Sequence, residues 1–176
     1  MKEATYLKKI RRLAPVGTRE SSSALVMRLA EQALDEHPHS ARLLCLFGDL
    51  IQLSGGRSRY ASVDPLKYYR AAIESDPEYW EPYESIGYYL LVYGGKLRVA
   101  EGAFRNAIRL GAGDDSILGL AEALLRRGKP APAMATILRC ANRKDARAKE
   151  LAFKIVHDLQ DRRSRKGRIV ERPVQK

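Results

Sequence analysis

A chain of 176 residues that is 45% hydrophobic and 30% charged suits one soluble domain with a core of its own. Its 32 basic and 21 acidic residues leave a net charge of +11, and the excess sits at the ends: residues 1–20 carry +4 and residues 162–176 carry +6. No apolar run reaches transmembrane length, no secretory leader pattern opens the chain, and Cys45 and Cys140 form neither a disulfide framework nor a zinc ligand set, so a reducing, cytoplasmic setting is expected.

The N-terminal segment, 1–20, holds "ATYLKKIRRLA", which places Tyr6, Ile10 and Leu13 on one helical face and basic residues opposite. This reads as a short helix docking onto the next element or onto a partner. Residues 21–161 then repeat a pattern at offsets zero, four, seven and twelve. It runs Val26, Ala30, Ala33, Pro38, then Pro65, Tyr69, Ala72, Pro77. It returns as Ala100, Phe104, Ala107, Ala112 and as Ala133, Ile137, Cys140, Asp145. Each set is an apolar helical stripe followed by a loop signal. A second pattern precedes three of them: Leu44, Phe47, Gly48, Ile51, then Tyr83, Ile86, Gly87, Leu90, then Ile117, Leu120, Ala121, Leu124. The alternation predicts helix–turn–helix pairs. Glycine inside a helix costs about 1 kcal/mol against alanine, so the small residue recurring at 48, 87 and 121 predicts close approach of a paired helix. Residues 146–161 read as a capping helix with Ala152, Ile155, Val156 and Leu159 inward. The basic stretch 162–176, "RRSRKGRIVERPVQK", reads as an unstructured tail beyond about residue 163.

These two patterns resemble the tetratricopeptide repeat, W-x2-L-G-x2-Y followed by A-x3-F and proline. Residues 79–112 carry it through Tyr83, Ile86, Gly87, Leu90, Ala100 and Phe104, with Ala112 in place of the closing proline. Residues 40–77 and 114–145 supply two further copies, and 22–38 a degenerate leading half-copy. The resemblance implies an all-α solenoid of about three full repeats with a C-terminal cap. Tyr83 to Ile117 spans the family's period of 34, whereas Leu44 to Tyr83 spans 39; the excess falls in "SGGRSRYASVDP", residues 54–65.

In that family the first helix of each pair lines the concave surface. The resemblance therefore implies a groove built from Arg42, Cys45, Asp49 and Gln52, from Glu81, Glu84, Tyr88 and Leu91, and from Asp115, Leu118, Glu122 and Leu125. Its charged members are one cation and five carboxylates, with Leu91, Leu118 and Leu125 as an apolar stripe. Such a groove does not suit the family's clamps for a C-terminal carboxylate, which use basic residues. Of the aromatic run "YWEPYESIGYYLLVYGG" (79–95), Tyr83 reads as core, Tyr79 and Trp80 as a brace, Tyr89 and Tyr93 as packed or edge residues, and Tyr88 alone as groove.

Catalysis finds no support. Gly55-Gly56 and Gly94-Gly95 lack the lysine-serine continuation of a phosphate loop, His37, His39 and His157 have no completing ligands, and Glu81 with Glu84 reads as a solvated helix face. No cofactor or metal is expected. The sequence thus points to a non-enzymatic scaffold holding a basic, apolar peptide or protein segment. The alternative is a nucleic-acid-associated protein acting through its basic termini.

Overall fold

The computed structural model describes residues 1–14, 24–54, 64–140 and 145–170, with side chains as far as Ser164. Among these residues every regular element is helical. They are α1 (Glu3–Leu13), α2 (Ala24–Glu36), α3 (Ala41–Ser54), α4 (Leu66–Ser75) and α5 (Glu81–Tyr89), a π-helical turn at Leu90–Gly94, and then α6 (Leu97–Arg109), α7 (Asp114–Arg126), α8 (Pro130–Ile137) and α9 (Ala146–Val170). The chain forms two compact units, Met1–Tyr89 and Leu90–Lys176.

In the first unit each helix packs on its chain neighbour, and α3 also meets α5. Local chemistry sets the boundaries. The Ser40 hydroxyl accepts a hydrogen bond from the Leu43 amide at 3.2 Å and so caps α3, and Asp64 and Asp76 fold their carboxylates onto the amides of Leu66 and Glu78. One cluster joins Tyr6, Leu7 and Ile10 of α1 to Val26, Met27, Ala30 and Ala33 of α2 and to Leu43, Phe47, Leu50 and Ile51 of α3. Helix α1 is therefore a docked part of this core; Tyr6 and Ile10 are buried as the periodicity predicts, Leu7 joins them, and Leu13 is half-buried. A second cluster joins Ala41, Leu44 and Cys45 to Tyr69 and Ala72 of α4, with Tyr79 and Ile86 against it. A methyl group at Gly48 would lie 2.6 Å from Tyr69 Cε1. That is the close approach expected at this position.

In the second unit α6 packs on the π-helical turn and on α7, α7 on α8, and α9 on both α7 and α8. Ala100, Phe104 and Ala107 of α6, Ile117, Leu120, Ala121 and Leu124 of α7, and Ala133 and Ile137 of α8 with the following Cys140 are all buried. Here the tightest contact is at Gly119, where a methyl group would come 2.4 Å from the Phe104 ring. Glycines end α6 and α7. Gly111 (φ 97°) and Gly128 (φ 74°) take the left-handed conformation that lets Ala112 and Lys129 bond back to the carbonyls of Ala107 and Leu124 at 2.9 Å.

Helix α9 differs from the expected cap in phase and length. It buries Ala148, Leu151 and Ile155, leaves Ala152 and Leu159 half-buried, and exposes Val156 together with Phe153. The helix runs to Val170, past residue 163. Arginine, lysine and glutamine propagate a helix readily, and Asp158 and Arg162 pair at 2.6 Å one turn apart. The charge that rules out packing does not rule out helix. Residues 171–176, and most of the 54–65 loop, lie outside the described residues.

Candidate functional site

Helix α3 is apolar on more than one side. While Leu43, Phe47, Leu50 and Ile51 join α1 and α2 in the core, Leu46 and Leu53 flank Leu50 at i, i+4 and i+7 and the three line a cleft. Opposite them α5 presents Glu84, Ser85 and Tyr88 at the spacing of one helical face. The cleft between the two helices is about 260 Å³, with Ala14, Asp49 and Gln52 among its lining residues.

Asp49 is half-buried within a hydroxyl network. Its Oδ1 accepts from Tyr69 Oη at 2.9 Å and from Ser85 Oγ at 2.9 Å, while Tyr69 Oη also stands 3.0 Å from Gln52 Oε1. Cys45 Sγ lies 3.9 Å from Ser85 Oγ. Burial raises the Asp49 carboxyl to about 6, the charges of Glu81 and Glu84 push the same way, and the two hydroxyl hydrogen bonds hold it back. Burial, helped by the Asp49 charge, also pushes the Cys45 thiol and the Tyr69 hydroxyl up, so both stay neutral at physiological pH. A protonated, buried thiol is a poor nucleophile.

The structure sorts the expected groove residues. Asp49, Gln52, Glu84 and Tyr88 come together in the cleft. Arg42 is exposed on α3 outside the cleft lining, and Glu81 is half-buried and accepts a hydrogen bond from Tyr79 Oη. Cys45 is core, not groove, at 1% exposure. In the second unit Asp115 is exposed and paired with Arg147 at 2.7 Å, and Glu122 is paired with Arg126 at 2.5 Å. Leu125 is half-buried.

Leu91 and Leu118 do not form an apolar surface stripe; both are buried. Leu91 sits in the π-helical turn, which holds more residues per turn than an α-helix, so Leu90 and Leu91 both fall on the packed side. The Leu91 carbonyl is capped by Arg126 Nη1 at 2.9 Å. Leu118 is covered because α7 packs against α6, α8 and α9 at once. Among the tyrosines, Tyr83 is half-buried instead of core, its hydroxyl 3.3 Å from the Pro77 carbonyl, and Tyr93 is exposed.

The cleft residues absent from the sequence-based set are Ala14, Leu46, Leu50, Leu53 and Ser85. The leucine stripe was visible as a second apolar face of α3; Ser85 carried no signal of its own. Among the described residues no group of three or more His, Cys, Asp or Glu side chains could hold a metal ion, and no helix is long and apolar enough to cross a membrane. No protein-family model matches the chain, and no curated protein matches it.

Proposed function

We propose that the chain is a non-enzymatic interaction module, an adaptor that binds a peptide or protein segment both basic and apolar in the cleft between α3 and α5. The observation that carries this reading is the joining of the Leu46–Leu50–Leu53 wall and the Tyr88 ring with the carboxylates of Asp49 and Glu84 in one concavity. Apolar burial supplies affinity, and the carboxylates steer and orient the segment. Each exposed ion pair adds at most about 1 kcal/mol. The tetratricopeptide-like pattern supports the same reading, because such repeats hold segments on their first helices. Buried free thiols at Cys45 and Cys140 favour a reducing, cytoplasmic setting. Selection from a random peptide library, followed by calorimetry, tests the proposal. Selected peptides should carry lysine or arginine beside Leu, Ile or Phe, and a Glu84→Lys, Tyr88→Ala double variant should bind them at least about tenfold more weakly. Equal binding by wild type and double variant would remove the cleft as the site.

A second reading is favoured by one feature. Lys8, Lys9, Arg11 and Arg12 are exposed on α1, and α9 carries the basic run of residues 162–168 on a continuing helix. Basic termini of this kind bind nucleic acid by counterion release, so affinity for a DNA or RNA duplex should fall steeply with salt and collapse on deleting 162–176. Binding no stronger than that of any cationic peptide removes this reading.

A further inference from the structure

Resting on the reading of the cleft between α3 and α5 as a binding site, we infer that Asp49 is its cation receptor. The group it takes is an alkylammonium, the end of a lysine side chain in preference to an arginine.

Asp49 Oδ1 already accepts two hydrogen bonds, from Tyr69 Oη and Ser85 Oγ, each at 2.9 Å. A carboxylate oxygen has two lone pairs in its plane, so the two hydroxyls use the acceptor capacity of Oδ1, and the guest is assigned to Oδ2. A guanidinium owes its advantage to two parallel hydrogen bonds across both oxygens, which this arrangement denies it. An ammonium needs one oxygen and rotates its three donors freely. The leucine stripe of α3 adds the second half of the fit, since a lysine stem lies along apolar surface while its charged end reaches a polar partner.

The surroundings of Asp49 favour a positive guest. From α3 it is faced by the neutral Cys45 thiol, from α4 by the neutral Tyr69 hydroxyl, and from α5 by Ser85, Glu81 and Glu84; the two charged groups in that set are acids. Burial first, and the neighbouring acid charges second, make the Asp49 carboxylate take up a proton more readily than usual, to about 6. An ammonium brought to Oδ2 does the proton's work, and its arrival displaces that proton. Affinity for a cation therefore rises with pH through this range, by about tenfold between pH 5 and pH 7, because the ionised fraction of a group titrating near 6 rises by that factor. The ammonium itself, titrating near 10, is charged throughout.

The test uses n-hexylammonium, with n-hexylguanidinium and n-hexanol as probes of equal chain length, followed by amide chemical shifts on α3 and α5 of the full chain. Hexylammonium should shift Leu50, Leu53 and Ser85, bind about tenfold more tightly at pH 7 than at pH 5, and bind several-fold more tightly than hexylguanidinium. Hexanol should bind with no pH dependence. On saturation with hexylammonium the titration midpoint of the Asp49 carboxyl carbon should fall. Asp49→Asn should erase both the pH dependence and the preference for ammonium over alcohol; if that variant does not fold, the carboxyl-carbon titration of the wild-type chain decides alone. Ammonium and alcohol binding alike, or an unmoved Asp49 midpoint, overturns Asp49 as receptor and leaves the cleft standing as an apolar site. Guanidinium binding as tightly as ammonium overturns the lysine preference. If neither the three probes nor the library-selected peptides shift any cleft amide, the cleft reading falls, and this inference with it.

Discussion

Replacing glycine by alanine should have opposite consequences at two helical positions of this chain. In isolation the change favours a helix by about 1 kcal/mol. At Gly102, exposed on α6 with nothing within 4 Å of an added methyl group, that gain should be realised nearly in full. At Gly48 the new methyl would stand 2.6 Å from Tyr69 Cε1 and 2.9 Å from Cδ1. The Tyr69 ring cannot swing away cheaply: it is fully buried, and its hydroxyl is tied to Asp49 and Gln52 on α3 itself. Either the α3–α4 pair separates, which loosens packing around Ala72 and Leu44, or the ring shifts and a hydrogen bond to a carboxylate weakens. Overpacking of this kind costs about 1–3 kcal/mol and the weakened bond about 1.5 kcal/mol more. Set against the helical gain, Gly48→Ala should destabilise by about 1.5–3.5 kcal/mol. For a chain of this size that lowers the melting temperature by roughly 3–14 °C, whereas Gly102→Ala should raise it by about 2–4 °C. Urea and thermal unfolding followed by circular dichroism at 222 nm read both. A Gly48→Ala chain as stable as wild type would refute the packing of α3 on α4 at this point.

Two further outcomes concern Asp49 and helix α9. The folded-state pKa of Asp49 is raised above that of the unfolded chain, so its contribution is full below about pH 4 and is lost as pH rises through about 6. The shift of about two units corresponds to at most about 3 kcal/mol, and Asp49→Asn should flatten that limb of the stability–pH curve; identical slopes in both chains would mean Asp49 titrates normally. On α9, Ile155→Ala should cost about 2–4 kcal/mol because the side chain is wholly buried, while Phe153→Ala, at 72% exposure, should change stability by less than about 0.5 kcal/mol. Comparable losses at both positions would place the wrong face of α9 inward.

The sequence alone determined the helical character of the chain and most of the core. Period-3.6 stripes separated by proline, glycine and aspartate fix where helices run and which side they bury, and all three leading positions of each repeated set, from Val26 to Cys140, are buried as that logic requires. Gly48 was legible too, because a glycine inside an apolar helix needs a reason, whereas Asp49, Gln52, Glu84 and Tyr88 were implied only by the resemblance to tetratricopeptide repeats. What periodicity cannot supply is the number of neighbours a helix will have. Leu118 and Cys45 lost their surface because α7 and α3 are covered on several sides, and Leu91 lost its own to a π-helical turn that no local composition announces. Nor does spacing along the chain say which hydroxyls converge on a carboxylate. Tyr69 and Ser85 lie 20 and 36 residues from Asp49, and only the packing of α4 and α5 against α3 brings both onto one oxygen. Helices and their main buried stripes are properties of short windows and could be read from them; the full burial of α3 and α7 and the chemistry of Asp49 are properties of several helices meeting, and tertiary structure alone decided them.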